Sequence, residues 1–307
     1  MLESQRWQIP GGSLAVRERP GAGEDLVVLV HGLGGSSLNW VDLLDRAGDG
    51  PTFLAPDLPG FGASPPPRDG DHSPAGHARA VNGLIDAWRE RRGGAAPLGD
   101  PGRVHLVGNS LGGAVALHAA SARAHDTASL TLISPALPTL SVGRGNAHLP
   151  VVAIPGVGEA LVRRYGQVSA PARVDATLQA CLTDPARVSP ELRAALIAEV
   201  EERDRLPYAV PSFLASLRGL MASFADLGPR RPWALARRLA CPVLAIYGAD
   251  DVLVSASGAR RAARTFPDAE VVVLPDCGHA AQIEHPDVVA DLWRRFVGDP
   301  RSAQSPA

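Results

Sequence analysis

A serine set between glycines is the residue of this sequence best suited to nucleophilic chemistry. The motif Gly108-Asn109-Ser110-Leu111-Gly112 follows a run of β-branched residues and precedes an alanine-rich stretch. A nucleophile on a tight strand-to-helix turn needs small neighbours, because the turn strains the backbone and brings adjacent chain close. The free N–H groups at the start of such a helix can also stabilise a developing anion. We therefore predict that Ser110 is a nucleophile.

A serine nucleophile requires a base, and two histidines near the end of the chain are candidates. Gly278-His279 follows the last apolar run, a position that suits a base on a loop above a sheet. His285 stands beside Pro286, where we expect it to cap a helix. The sequence therefore favours His279 as the base.

The base in turn requires an acid that orients it. Asp250 and Asp251 follow the apolar run at 243–247, and either could serve. After the run at 130–133 the chain has Ser134-Pro135 and no carboxylate, which removes the main competing position.

A glycine-rich loop, His31-Gly32-Leu33-Gly34-Gly35, follows the first long apolar run. Acyl transfer passes through an oxyanion that needs two convergent donors. We predict that the backbone N–H groups of Leu33 and Leu111 form this pair. His31 is expected to be a structural histidine of the loop.

These candidates all lie at the ends of predicted strands. Six apolar runs predict strands buried on both faces, as in a parallel sheet: 25–30, 52–55, 103–107, 130–133, 243–247 and 270–274. The segment 7–19 predicts an antiparallel hairpin at the sheet edge. Apolar residues at three- and four-residue spacing predict helices between the runs, at 75–92, 111–125, 255–266 and 286–297. Such alternation predicts a mainly parallel α/β sheet.

One region interrupts this alternation. Between 137 and 233 the sequence shows helical patterns at 171–182, 190–205 and 210–224, but no clear buried strand. We therefore predict a helical lid insertion at 137–233 within an α/β core formed by residues 1–136 and 234–298, and a flexible tail at 299–307. A separate helical domain is the alternative.

The motifs, taken in order, make the chain similar to the α/β-hydrolase superfamily. They are His31-Gly-x-Gly, Asp57-Leu-Pro-Gly-Phe-Gly-x-Ser64, Gly108-x-Ser-x-Gly-Gly113, Gly248-x-x-Asp251 and Gly278-His279. The resemblance implies an eight-stranded, mostly parallel sheet with helices on both faces and an inserted lid. It also implies Asp251 as the acid, a structural role for the 57–64 loop, and no cofactor or metal.

The positions at which this sequence departs from the patterns of individual subfamilies reduce the number of reactions that we expect. Members that open epoxides or remove halogens carry an aspartate at the position of Ser110, so the resemblance argues against those reactions. Bacterial hydrolases that cleave carbon–carbon bonds of ring-cleavage products are similar at Gly-Asn-Ser-x-Gly-Gly and at the segment with Gln282, Glu284 and His285. They usually carry a tryptophan where this chain has Ala280, and their Ser-Gly-Pro-Gly-like oxyanion loop is missing.

The sequence therefore predicts a serine hydrolase that cleaves a carboxylic ester or thioester of a small to medium apolar substrate. Two alternatives stay open. The first is a hydrolase of carbon–carbon bonds, whose acidic substrate would need a cationic clamp such as Arg163, Arg164 or Arg173. The second is a hydrolase-like binding protein without catalysis.

Composition adds limits on partners and compartment. The 307 residues carry a formal net charge of −2, which gives no electrostatic footprint for nucleic acid or an anionic membrane. The apolar stretch at 149–162 is broken by Pro155, Gly156 and Gly158, so it cannot span a bilayer. Three widely separated cysteines and the lack of an apolar N-terminal segment predict a cytoplasmic protein. The sequence gives no oligomeric state.

Overall fold

The computed structural model describes residues 2–92, 102–139, 145 and 148–298. An eight-stranded sheet with the order β1-β2-β4-β3-β5-β6-β7-β8 runs through it. Its strands are β1 (Ser4–Ile9), β2 (Gly12–Arg19), β3 (Leu26–Val30), β4 (Thr52–Pro56), β5 (Val104–Asn109), β6 (Thr127–Ile133), β7 (Val243–Gly248) and β8 (Ala269–Leu274). The predicted tail at 299–307 lies outside the described residues.

The sheet is parallel from β4 to β8, and the β1–β2 hairpin lies antiparallel at its edge, as predicted. The central strands β3, β4, β5, β6 and β7 are buried along their whole length. Helices cover both faces, so residues pointing either way from these strands must be apolar or hydrogen-bonded. This requirement explains the nearly continuous Val/Leu/Ile runs.

Two helical layers sandwich the sheet. Helices α2 (Pro74–Arg91), α3 (Leu111–Ala122) and α10 (Gly258–Thr265) share one apolar core with one face of the sheet. Helices α1 (Val41–Arg46) and α12 (Pro286–Gly298) share a second core with the opposite face. The chain therefore has the predicted α/β class with helices on both sides.

In the described residues between β6 and β7, the regular structure is helical and includes no strand. It contains α4 (Leu149–Val152), α5 (Val157–Tyr165), α6 (Ala170–Cys181), α7 (Pro190–Asp204), α8 (Ala209–Ala225) and α9 (Pro232–Ala236). We call α4 to α8 the inserted helices. Helices α6, α7 and α8 follow the predicted helical segments. Helices α4 and α5 lie in the stretch that the sequence presented only as a broken apolar run.

The inserted helices contribute a third apolar cluster. Val174, Leu178 and Leu192, from α6 and α7, are buried in one cluster with Leu38 and Ile283 of the core. Ile283 belongs to the short helix α11 (Ala281–Glu284), which directly follows His279. The insertion is therefore packed beside the loop that carries the predicted base.

Within the described ranges, no helix combines the length and the hydropathy that crossing a membrane requires. The cysteines Cys181, Cys241 and Cys277 are all unpaired.

Candidate active site

The carboxyl ends of the parallel strands meet at one edge of the sheet. Val30 of β3 is opposite Gly108 of β5, Gly108 is opposite Leu132 of β6, and Gly248 of β7 is opposite Leu274 of β8. The loops that follow these strands therefore emerge side by side. They carry every residue that the sequence predicted for catalysis.

Ser110 occupies a strained turn between β5 and α3. Its backbone has φ 56° and ψ −120°, a left-handed φ that non-glycine residues rarely adopt. The Ser110 N–H donates to the Ile133 carbonyl at 3.0 Å, and the Ser110 carbonyl accepts from the Gly113 and Ala136 N–H groups at 2.9 Å each. These bonds hold the strained backbone in place, as expected where strain serves a function.

The glycines around Ser110 are required by space. A Cβ at Gly112 would lie 2.0 Å from the Val30 carbonyl oxygen, and a Cβ at Gly108 would lie 2.3 Å from the Gly112 carbonyl oxygen. Neither position can hold a side chain without moving backbone. The helix α3 is thereby brought close to β3 and β5 directly behind Ser110.

His279 and Asp251 form a buried pair at the same edge. His279 Nδ1 lies 2.9 Å from Asp251 Oδ2. Asp251 Oδ1 accepts from the N–H groups of Leu253 and Val254, both at 2.8 Å, which fixes the carboxylate. The neighbouring Asp250 has an exposed side chain. Of the two aspartates that the sequence left open, the structure brings Asp251 to the imidazole.

The Asp251 carboxylate is stabilised as an anion. Burial raises the pKa of Asp251, but the hydrogen bond and charge of His279, the Val254 N–H and the neighbouring Ser134 hydroxyl outweigh it, so the pKa is lowered on balance. An ionised carboxylate can hold the Nδ1 proton of His279 and direct Nε2 away from itself.

The glycine-rich loop lies against the serine. A Cβ at Gly32 would lie 3.2 Å from the Ser110 Cβ, so the Gly32 backbone borders Ser110. Within the described part of the chain, the Leu33 and Leu111 N–H groups have no acceptor. Two unoccupied donors beside a serine are what an oxyanion needs.

His31 has a different environment from His279. It is fully buried, and its Nε2 accepts from the Leu58 N–H at 2.9 Å while its Nδ1 lies 2.8 Å from the Gly32 carbonyl oxygen. Burial lowers the pKa of His31, which favours a neutral ring. The two ring nitrogens thus contact the backbone of two loops, at Gly32 and at Leu58, which agrees with the predicted structural role.

Two contacts of the His279 loop were not predicted from the sequence. The Asn109 amide donates to the carbonyls of Ile133 and His279, both at 3.1 Å, and so connects the serine turn to the histidine loop. The Cys181 carbonyl, from the end of α6, accepts from the N–H groups of His279 at 2.6 Å and Ala280 at 3.3 Å. Asn109 stood in the serine motif, but a backbone carbonyl leaves no sequence signal.

Cys277, Glu284 and His285 offer potential metal-ligand atoms within 4.8 Å of one another. These groups already have other partners. Glu284 accepts two backbone N–H groups, and His285 Nε2 lies 2.7 Å from Arg187 Nη1 and 2.8 Å from the Asp276 carbonyl oxygen. Burial raises the pKa of the Cys277 thiol to about 12, which keeps it protonated. The cluster suits a hydrogen-bonded network better than an ion.

A strained serine, a histidine–aspartate pair and a glycine-rich donor loop on one sheet edge define a hydrolase of the nucleophile-elbow class. The model of the alpha/beta hydrolase family matches residues 27–292. The chain belongs to this family.

The named relatives of the chain carry different activities in their names. The chain is 29% identical over 283 residues to the 2-hydroxy-6-oxononadienedioate/2-hydroxy-6-oxononatrienedioate hydrolase of Comamonas testosteroni, covering 91% of this chain and 90% of the relative. It is 30% identical over 301 residues to the dihydrolipoyllysine-residue acetyltransferase component of the acetoin cleaving system of Pseudomonas putida, covering 95% and 69%.

Solved structures show the same fold. The thermophilic esterase of Thermogutta terrifontis superimposes with a TM-score of 0.70 at 22% identity, covering 95% of this chain and 98% of the esterase. The fold and the hydrolase class are therefore established, and the bond that is cleaved needs a separate argument.

Proposed function

We propose that this protein is a serine hydrolase whose nucleophile is Ser110. One observation carries the proposal: a serine with φ 56° stands on the same sheet edge as a histidine bonded at 2.9 Å to a buried aspartate. His279 accepts the Ser110 proton as the hydroxyl attacks a carbonyl carbon, and Asp251 stabilises the imidazolium. The Leu33 and Leu111 N–H groups stabilise the oxyanion.

The tetrahedral intermediate then collapses and its bond to the leaving group breaks. His279 returns its proton to the leaving group, which departs as a neutral molecule. Water attacks the acyl-enzyme with His279 again as base, releasing a carboxylic acid and free Ser110. The same sequence of steps serves an ester, a thioester or a carbon–carbon bond beside a ketone, provided that a carbon leaving group is stabilised by conjugation.

We propose a ring-cleavage-type keto-dienoic acid as the first substrate candidate. Support comes from the Comamonas testosteroni relative, which matches this chain over 91% of its length. The Gly-Asn-Ser-x-Gly-Gly motif and the segment with Gln282, Glu284 and His285 agree with it.

A carboxylic ester is the second candidate, and the arrangement of the inserted helices favours it. Arg163 and Arg164 are exposed, and Arg173 is buried in an ion pair with Asp204. None of these three arginines is therefore an unpaired buried cation that could clamp a substrate carboxylate. Ala280, in place of a tryptophan, points in the same direction.

We also propose that the inserted helices form a lid. The Arg203 guanidinium donates to the Gly34 carbonyl at 3.1 Å, and the Phe213 ring lies 3.4 Å from where a Cβ at Gly34 would be. Helices α7 and α8 therefore contact the glycine-rich loop at 31–35.

The three unpaired cysteines support the predicted cytoplasmic location.

A fluorophosphonate probe tests the nucleophile. We expect the wild type to be labelled and Ser110→Ala to be unlabelled, with kcat reduced by about five to six orders of magnitude. Ser169→Ala removes an exposed hydroxyl that forms no cap bond and is the matched control. A folded wild type without labelling would instead indicate a binding protein.

Paired assays test the bond. One arm follows loss of the conjugated chromophore of a 2-hydroxy-6-oxo-dienoic acid, and the other follows p-nitrophenyl esters of increasing acyl length. Turnover of the dienoic acid with the higher kcat/KM supports the first candidate. Ester turnover alone supports the second and ends the first.

A further inference from the structure

The proposed mechanism gives no task to Glu284, although its surroundings are unusual for a carboxylate. Its side chain is fully buried. Glu284 Oε2 accepts from the Gly278 N–H at 2.7 Å, and Oε1 accepts from the Asp184 N–H at 2.8 Å. A charged acceptor makes a strong hydrogen bond with a backbone N–H, so this buried carboxylate is well satisfied.

The two donors belong to different parts of the molecule. Gly278 immediately precedes His279, whereas Asp184 lies in the connection between α6 and α7 of the inserted helices. One carboxylate therefore bonds both the loop of the base and the insertion, with one oxygen for each.

A second set of bonds joins the same two segments. The Cys181 carbonyl accepts from the N–H groups of His279 and Ala280, so the insertion contacts the histidine on its C-terminal side as well. A Cβ at Gly278 would lie 2.5 Å from the Cys181 carbonyl oxygen, which shows how closely the segments approach. His279 and Ala280 thus bond Cys181 directly, and the preceding Gly278 is connected to Asp184 through the Glu284 carboxylate.

Arg187 completes the arrangement at the surface. Its Nη1 lies 3.5 Å from Glu284 Oε1 and 2.9 Å from the Asp276 carbonyl oxygen, and it forms an ion pair with the Asp276 carboxylate. The Arg187 side chain is only partly exposed, so it covers the Glu284 carboxylate from solvent.

We propose that Glu284 is a positioning residue that locks the His279 loop to the inserted helices. The inference rests on the proposed role of His279 as base. Its consequence is that the imidazole keeps its place only while the insertion is seated, because one carboxylate holds both. Catalysis requires a base within a fraction of an ångström of its working position.

Glu284→Gln is the primary test. A glutamine has the same shape, but its amide nitrogen would face one of the two N–H donors and lose that bond. We expect the rate of fluorophosphonate labelling and kcat to fall roughly ten- to a hundred-fold with little change in KM. Amide hydrogen exchange should rise together in segments 181–187 and 276–284. Glu270→Gln, an exposed glutamate on β8, is the matched control and should behave as wild type.

Glu284→Asp separates position from charge. An aspartate keeps the charge but is too short to reach both donors, so it should be as impaired as the glutamine variant. Recovery of kcat in Glu284→Asp would show that the charge alone matters and would overturn the proposal. If either Glu284 variant does not fold, Arg187→Gln is the milder substitution, because Arg187 contacts the Glu284 carboxylate. We expect it to raise amide exchange in both segments by a smaller amount and to lower the labelling rate by roughly two- to five-fold.

Unchanged exchange in the two segments of Glu284→Gln, or activity lost only in proportion to unfolded protein, would refute the positioning role. These results are distinct from a failure of the proposed function, in which the wild type itself is not labelled. The exchange measurement does not depend on activity and tests the connection in either case.

Discussion

The serine turn and the inserted helices are held in the molecule by different kinds of contact. Around Ser110, backbone groups bond to backbone groups, and glycines let main chain approach main chain at distances that exclude a side chain. The insertion contacts the glycine-rich loop at 31–35 and α2 through side chains, such as Arg203 to Gly34 and Ser216 to His77, in addition to the backbone bonds from Cys181 to the His279 loop. The serine turn is therefore fixed by the backbone of the sheet, whereas much of the insertion's contact with the core depends on individual side chains.

The serine turn and the first inserted helices also differ in how far their residues are buried. Ser110 follows a strand in which every residue is buried, whereas α4 has no buried residue and α5 has only Gly158. Val157, Leu161 and Tyr165 on α5 are each more than 40% exposed. Substitutions at the serine turn should therefore have large effects, and substitutions in α4 and α5 should have small ones.

After the loss of the serine itself in Ser110→Ala, the largest effect is expected for Asp251→Asn. The asparagine oxygen can still accept from Leu253 and Val254, so its amide NH2 must face His279 Nδ1. The histidine proton then moves to Nε2 and the ring cannot act as a base, so kcat should fall by about 10⁴-fold. The exposed neighbour is the control: Asp250→Asn should retain kcat within two-fold, and a greater loss there than at Asp251 would reverse the assignment.

Gly112→Ala should be the next largest. Its methyl group would meet the Val30 carbonyl at 2.0 Å, and we expect the free energy of unfolding to fall by about 3 kcal/mol. Gly166→Ala, at the end of α5, should change it by less than about 1 kcal/mol, because its φ of −61° suits alanine. Chemical denaturation of both variants measures the contrast. Equal destabilisation would show that the two regions are equally constrained.

A smaller effect is expected for Arg203→Met, which removes the bond to the Gly34 carbonyl while keeping a long side chain. One hydrogen bond contributes about 1 kcal/mol, so KM should change by roughly five-fold with the melting temperature preserved. Arg205→Met is the control, since among the described residues Arg205, at the end of α7, pairs only with Glu202 of that helix. A loss of kcat without a change in KM would place Arg203 in the chemistry instead.

The smallest effect concerns pH. Burial raises the pKa of Glu199 on α7 from 4.5 to about 7, with Asp57 adding to the rise and Ser36, Arg203 and Arg17 opposing it. A carboxyl whose pKa is raised by folding stabilises the native state below pH 4.5, and that stability is lost as pH rises towards 7.

Glu199→Gln removes this titration. Its melting temperature should match that of the wild type at pH 4 and exceed it by a few degrees at pH 8. Glu201→Gln, exposed on the same helix, should show no such divergence. Parallel curves for Glu199→Gln and wild type would exclude the effect.

The sequence predicted the core well because its signals are local. Each buried strand contains a predominantly apolar run of residues. Ser110, His279 and the two aspartates stand a few residues after the ends of such runs. Strand β6 begins three residues earlier than predicted, at Thr127, because its polar start is satisfied by tertiary contacts. Ser129 there lies 2.7 Å from His105 Nδ1, a partner that the local pattern cannot reveal.

The short helices α4 and α5, the choice of aspartate and the Glu284 bonds could not be predicted from the sequence pattern, for physical reasons. Pro155 and Gly156 suggested a break at 149–162, yet they lie between α4 and α5, so two short helices form on either side of them. The choice between Asp250 and Asp251 needed the family resemblance, because their side chains differ only in direction. The Glu284 bonds depend on backbone donors about a hundred residues apart in the chain and leave no pattern.

Neighbouring strands β6 and β7 are separated in the chain by all of the inserted helices, from Ile133 to Val243. A ribosome therefore synthesises Ser110 and the inserted helices before Asp251 and His279. The nascent polypeptide must keep an incomplete sheet, with the β6 edge unpaired, until the segment that contains β7 and β8 has been synthesised. The serine turn and the His279–Asp251 pair therefore come together only when β7 and β8 dock against β6.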